Sequence, residues 1–194
     1  MVLAGALASV LTGPASVRGQ ELVGSLEPEA EWTASGPNGE VLDHPMGIVV
    51  IASGKVLVAD GTSNIFVYDA DGTPIDRWPL PEGARPVGLA ERSDGSVLVT
   101  DFTGDRLLLL SDDGVMLATW GERGSGPGQF QGPSGVAITP SGNVIVVEFM
   151  GQRVQELDPH GNFVRFLDGG DSARLYVNDR MPMAGMEGMD MPVA

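Results

Sequence analysis

The sequence predicts an all-β chain in which a four-stranded unit of about forty residues recurs, the units stacking face to face as propeller blades. Three observations predict it. Turn glycines recur at Gly54, Gly95 and Gly142, 41 and 47 residues apart. An acidic residue closes an apolar run at the same distance after each of them, at Asp60, Asp101 and Glu148. No stretch shows a sustained helical period with capping residues, so almost no helix is expected.

Each unit reads in the same order. An innermost strand opens on a Pro-x-Gly pattern: Pro45-Met46-Gly47, Pro86-Val87-Gly88 and Pro133-Ser134-Gly135. A tight turn follows, as in Asp94-Gly95, where glycine supplies the left-handed backbone that short hairpins require. The second strand is a continuous apolar run such as Val97-Leu98-Val99, the pattern of a strand covered on both faces. It ends on the recurring acid. A variable loop leads to the third strand, Ile65 to Asp69, Leu107 to Leu110 or Val154 to Asp158. A second hairpin, at Asp71-Gly72, Asp113-Gly114 or His160-Gly161, leads to a fourth strand with an aromatic residue, taken as Trp78, Trp120 and Phe166. The six extra residues of the longer interval fall in the linker around 121–131, outside the unit. The blades are bounded as 45–83, 84–131 and 132–170.

These residues resemble the NHL-repeat family of six-bladed β-propellers. The Pro-x-Gly opening, the acid-terminated strand, the Gln152-Arg153-Val154-Gln155 run and the linker Gly124-Ser125-Gly126-Pro127-Gly128-Gln129-Phe130 before Pro133 carry the likeness, over about 45–168. The resemblance implies a six-bladed ring and leaves function open, because the family includes scaffolds, sensors and enzymes. Only three blades are complete here. Residues 171–179 read as part of a further blade, and Glu31-Trp32 as an isolated fourth strand, so that propeller sequence runs over 31–179. An open stack exposes apolar faces at its ends. Either the chain is a fragment of a longer propeller, the favoured expectation, or a homodimer closes the ring.

The flanks read differently. Residues 1–19 are apolar and small, with Val17-Arg18-Gly19 suited to cleavage before Gln20, and are expected to be a signal peptide that sends the protein out of the cytoplasm, secreted or periplasmic. The stretch is too short to cross a bilayer. Residues 20–30 are a linker. In the tail, 180–194, methionines recur at Met183, Met186 and Met189; soft thioethers at such spacings suit Cu(I).

Composition narrows the function classes. The chain has 194 residues, no cysteine and a formal charge of −15. Nucleic-acid affinity rests on neutralising phosphates with Lys and Arg, so nucleic acid is excluded as a partner. Disulfides, thiolate nucleophiles and Cys-based zinc sites are excluded outright. An acidic surface suits cations or basic partners, including a divalent cation in the channel.

The second-to-third loops share one face with the inter-blade linkers, and longer, variable loops are where function concentrates. Candidate binding residues there are Phe102, Asp105, Arg106, Phe149, Met150, Gln152 and Arg153, together with His44 at the entry to the first inner strand. Arg106 and Arg153 occupy matching positions, aligned with Ile65 in the first blade. Asp60, Asp101 and Glu148 read as structural carboxylates that accept backbone N–H bonds within their loops, because they recur in every unit. The leading function is a non-catalytic module that binds a protein, peptide or glycan. The first alternative is a lyase-type propeller enzyme, peptide-amidating or streptogramin-lyase-like, with its catalytic residues in missing blades. The second is copper handling by the tail.

Overall fold

The structure, a computed structural model, describes residues 35–167. The signal-like segment, the linker at 20–30, the Glu31-Trp32 strand, the partial blade at 171–179 and the methionines Met183, Met186 and Met189 lie outside the described residues. What is described is three four-stranded antiparallel sheets, with no helix among these residues. Blade 1 comprises β1 (Pro45–Val50), β2 (Val56–Asp60), β3 (Asn64–Tyr68) and β4 (Pro74–Pro79). Blade 2 comprises β5 (Pro86–Glu91), β6 (Val97–Asp101), β7 (Arg106–Leu110) and β8 (Met116–Trp120). Blade 3 comprises β9 (Pro133–Ile138), β10 (Val144–Glu148), β11 (Arg153–Leu157) and β12 (Phe163–Leu167). Each sheet is a plain meander in which every strand pairs with its sequence neighbour.

The blades stack because each hides an apolar face against the next. Between blades 1 and 2, Leu57, Ile65, Val67 and Trp78 meet Leu89, Val97, Val99 and Leu108. Between blades 2 and 3, Leu98 and Leu107 meet Val144, Val146 and Leu157, and Phe130 of the linker fills the junction with no exposure to solvent. Blade 2 is covered on both faces, which is why every residue of β6 is buried. Burial of this kind contributes about 25 cal/mol per Å² of apolar surface.

The inner strands β1, β5 and β9 neighbour one another across the junctions. The Pro-x-Gly glycine makes that approach possible. A Cβ on Gly47 would lie 2.0 Å from the Val87 carbonyl oxygen, and one on Gly88 would lie 2.5 Å from that of Ser134. The fourth-strand tryptophans add a second contact, Trp78 resting on Gly114 of the next blade's hairpin and Trp120 on Gly161.

Register corrects one expectation. Ile65 pairs with Trp78, Leu107 with Trp120, and Val154 with Leu167. The third blade therefore carries Leu167, not Phe166, at the tryptophan position. A one-residue shift along a strand reverses the face, and Phe166 turns toward blade 2, where its ring lies under Arg153 with the guanidinium carbon 4.7 Å from the centroid. Blade 3 also differs on the face turned away from blade 2. Val67 and Leu109 are matched there by Glu156, which pairs with Arg165 at 2.6 Å and accepts from Asn143 at 2.6 Å.

Candidate functional site

The strand-ending carboxylates define the loop face from below. Asp101 and Glu148 are buried, and each faces the junction with the preceding blade. Asp101 accepts from the backbone N–H of Arg85 (2.9 Å) and of Gly104 (3.1 Å) and pairs with Arg106 Nε at 2.9 Å. Glu148 accepts from the N–H of Gln131 (2.8 Å), pairs with Arg153 Nε at 2.7 Å and takes a bond from Gln155 Nε2 at 2.6 Å. Arg85 and Gln131 both belong to inter-blade linkers, so each acid fastens the linker that enters its own blade. A buried charge needs such compensation, since desolvating an unpaired carboxylate costs several kcal/mol.

The Gln152-Arg153-Val154-Gln155 run acquires a mechanical meaning here. Arg153 donates to the carbonyls of Ser125 and Gln129, the latter at 2.8 Å, and Gln155 donates to the same Gln129 carbonyl at 2.7 Å. Gly128 in turn donates to Gln155 Oε1 at 3.0 Å. Together they latch the long linker over the junction that Phe130 fills. Arg106 and Arg153, expected as binding residues, are thus committed within the chain. Asp105 is buried and accepts from the Gly132 N–H at 2.7 Å, with Arg123 Nε at 3.5 Å from its other oxygen. It too secures the linker. Gln152 is exposed and takes a left-handed φ of 50° at the loop's last position.

Blade 1 departs from the pattern. Its β2–β3 loop is one residue shorter, so the partner of Asp60 across the ladder is Asn64. The residue matching Arg106 and Arg153 is therefore Asn64 and not Ile65. Asn64 Nδ2 donates to the Thr62 carbonyl at 2.7 Å rather than to the acid. Asp60 accepts the Thr62 hydroxyl on one oxygen; its buried Oδ1 has no hydrogen-bond partner among the described residues. On the same blade burial pushes the Tyr68 phenol pKa up, and the Asp60 charge adds to the shift.

The axial end of the loop face holds a different environment. The residue between proline and glycine in each inner strand, Met46, Val87 and Ser134, lines an open apolar pocket of about 210 Å³. Phe102 and Phe149, each the first residue after a strand-ending acid, close its outer side, and Arg85 stands at its edge. The two rings lie 6.4 Å apart, centroid to centroid, tilted by 48°. Gly61 takes the matching place in blade 1 and leaves that side unwalled. Phe149 is 69% exposed and Phe102 half-buried. Met150, 65% exposed, packs beside Gly132 and borders a neighbouring polar recess with Phe102 and Asp105.

The structure therefore brings Phe102 and Phe149 together and sets Arg106, Arg153 and Asp105 aside as fasteners. It adds Met46, Val87, Ser134 and Arg85, which the sequence reading missed. Their signal was present, because the variable residue inside an otherwise fixed motif on the innermost strand must line the axis. His44 is exposed and pairs with its neighbour Asp43. It precedes β1 on the loop face, whereas His160 sits in the β11–β12 hairpin on the opposite face, so the two cannot act on one substrate atom. The expected channel cation finds no support from Asp101 and Glu148, which point into blade junctions rather than the axis. Among the described residues no three His, Cys, Asp or Glu side chains converge as a metal site, and no helix is long and apolar enough to cross a membrane.

No protein-family profile matches this sequence, and no curated protein does. Solved structures do. A catalytically inactive virginiamycin B lyase from Staphylococcus aureus with quinupristin matches with a TM-score of 0.53 at 25% identity, over 66% of this chain and 43% of that one. A streptogramin B lyase matches with a TM-score of 0.50 at 20% identity, over 62% of this chain and 39% of that one. The WD40 β-propeller domain of Doa1 matches with a TM-score of 0.50 at 20% identity, over 61% and 38%. This chain thus spans about two-fifths of the length of these propellers. Four-stranded antiparallel meanders packed face to face, with matching propellers from a lyase and a WD40 protein, make the described residues part of a β-propeller.

Proposed function

We propose that the chain is a non-catalytic binding part of an NHL-type propeller, whose axial pocket at the loop face docks an apolar group of a protein or peptide. The observation that carries this reading is the pairing of Phe102 and Phe149 over Met46 and Val87. Large apolar side chains stand exposed on loops held rigid by the carboxylate latches, and exposed aromatic anchors on a preorganised frame are what interfaces use. The test is an NMR titration with short phenylalanine-containing peptides. Methyl resonances of Met46 and Val87 should shift on binding, and Phe149→Ala should weaken binding about ten-fold, an anchor's worth, without lowering thermal stability. Shifts confined to other regions, or unchanged affinity in Phe149→Ala, would refute the proposal.

A lyase reading draws support only from likeness to the streptogramin-type enzymes, at the level of the fold. Export with cleavage before Gln20 belongs to the proposal as well; mass spectrometry of the native protein finding an intact Met1 end would overturn it. Closure of the stack is supported by the inner strand of blade 1. Ile48 is 67% exposed, whereas Leu89, its match in blade 2, is buried against blade 1. A further blade, from a second copy or a longer chain, would cover it.

A further inference from the structure

The axial pocket carries a charge signature that narrows its ligand, given the apolar-docking reading above. Eight basic side chains fall within the described residues. Seven are held: Lys55, Arg92 and Arg153 donate to backbone carbonyls, and Arg77, Arg106, Arg123 and Arg165 pair with carboxylates. Arg85 is the one whose side chain has neither kind of partner among the described residues. It is not idle. Its guanidinium carbon lies 5.9 Å from the Phe102 ring centroid, at the edge of the pocket.

Three features place that cation deliberately. Its backbone N–H is fixed by the buried Asp101 at 2.9 Å, so the side chain springs from a rigid point. The chain has 26 acidic residues against 11 basic ones, yet among the described residues no carboxylate pairs with Arg85, which leaves its charge available to a ligand. Finally, a guanidinium lying over an aromatic face keeps its edge donors free, and those donors match a carboxylate in a two-point arrangement.

From this we infer that the pocket takes an apolar group bearing a carboxylate beside it, the ring or alkyl part lying between Phe102, Phe149 and Met46 and the carboxylate meeting Arg85. At about 210 Å³ the pocket suits a single ring-sized group rather than a drug-sized molecule, whose sites enclose roughly 300–1,000 Å³. Such a group occurs as a small aryl or alkyl acid, or as the terminal residue of a peptide with a free C-terminus. The acidic surroundings repel anions at long range, so the selectivity is local and resides in Arg85.

The experiment uses the full chain and two matched pairs of probes in calorimetric titration: phenylacetate against phenylacetamide, and the peptide Ala-Ala-Phe with a free against an amidated C-terminus. Each acid should bind about ten-fold more tightly than its amide, the gain expected of one partly solvated charged contact, and the preference should shrink with added salt. Arg85→Gln should abolish the preference, bringing the affinity of each acid down to that of its amide. That variant keeps the backbone N–H that Asp101 holds, so the fold survives, and circular dichroism verifies it. The tighter of the two acids identifies the source of the group. Equal affinity of acid and amide, or a preference that persists in Arg85→Gln, would overturn the inference while leaving apolar docking intact. Failure of all four probes to bind would remove the apolar site and the inference with it.

Discussion

Replacing Asp101 by alanine offers a direct test of the latch that positions the pocket. The carboxylate is fully buried and serves two backbone N–H groups, those of Arg85 and Gly104, besides Arg106 Nε. Its removal leaves both part-buried N–H groups without their acceptor, at about 1–3 kcal/mol each. The Arg106 side chain is 31% exposed and can turn to solvent, so its lost ion pair adds little. The total is about 3 kcal/mol, the lower part of the range for breaking a buried charge network. For a chain of this size that lowers Tm by about 6–12 °C. Asp101→Asn discriminates the cause. The amide oxygen still accepts both N–H bonds, and what is lost is the charge and the bond from Arg106 Nε, whose side chain can turn to solvent, so the cost should be about 1 kcal/mol. Thermal and urea denaturation of both variants give the comparison. An alanine variant within about 0.5 kcal/mol of the parent, or an asparagine variant as damaged as the alanine one, would refute the latch.

Arg153→Ala should behave as a stability variant, lowering the denaturation midpoint while leaving probe affinity at the axial pocket unchanged, because its donors hold the Ser125 and Gln129 carbonyls and the Glu148 carboxylate. Calorimetry on the folded variant checks both halves. Hydrogen bonds from Asn143 and Arg165, and the Arg165 charge, hold the Glu156 carboxyl below its ordinary value of 4.5. A lowered folded-state pKa contributes stability above the unfolded value and loses it as pH falls through the folded one. Glu156→Gln should therefore flatten the decline in stability below pH 4.5, and an unchanged acid limb would contradict this. For closure of the stack, light scattering on the isolated chain should show a dimer or larger assembly if a second copy covers Ile48; a stable monomer that binds no hydrophobic dye would count against it.

The architecture was legible because it is written locally and three times. Hairpin glycines, acid-terminated apolar strands and the Pro-x-Gly opening each follow from short-range backbone chemistry, and repetition at a near-constant interval separates such a pattern from accident. Asp101 and Glu148 accept backbone N–H bonds as that repetition suggests, whereas Asp60 accepts only the Thr62 hydroxyl among the described residues. Individual roles were harder. Phe166 was matched to the tryptophans by its chemistry, yet the register of β11 and β12 gives that place to Leu167. Ile65 was aligned with Arg106 and Arg153 by counting, yet the shorter first loop brings Asn64 there.

The sequence by itself determined the strand plan, the loop face and the two aromatics that project from it. Tertiary structure alone decided which charged residues are spent. Arg106 and Arg153 look as available as Arg85 in the sequence, since a side chain's availability depends on partners far along the chain. Arg153 meets carbonyls 24 to 29 residues away and so serves the linker. Arg85 is left beside Phe102 because Asp101 spends its charge on Arg106 and its remaining lone pairs on backbone N–H groups. The pocket has the same origin: Met46, Val87 and Ser134 are 41 and 47 residues apart, and only stacking of three blades around one axis brings them to a common wall.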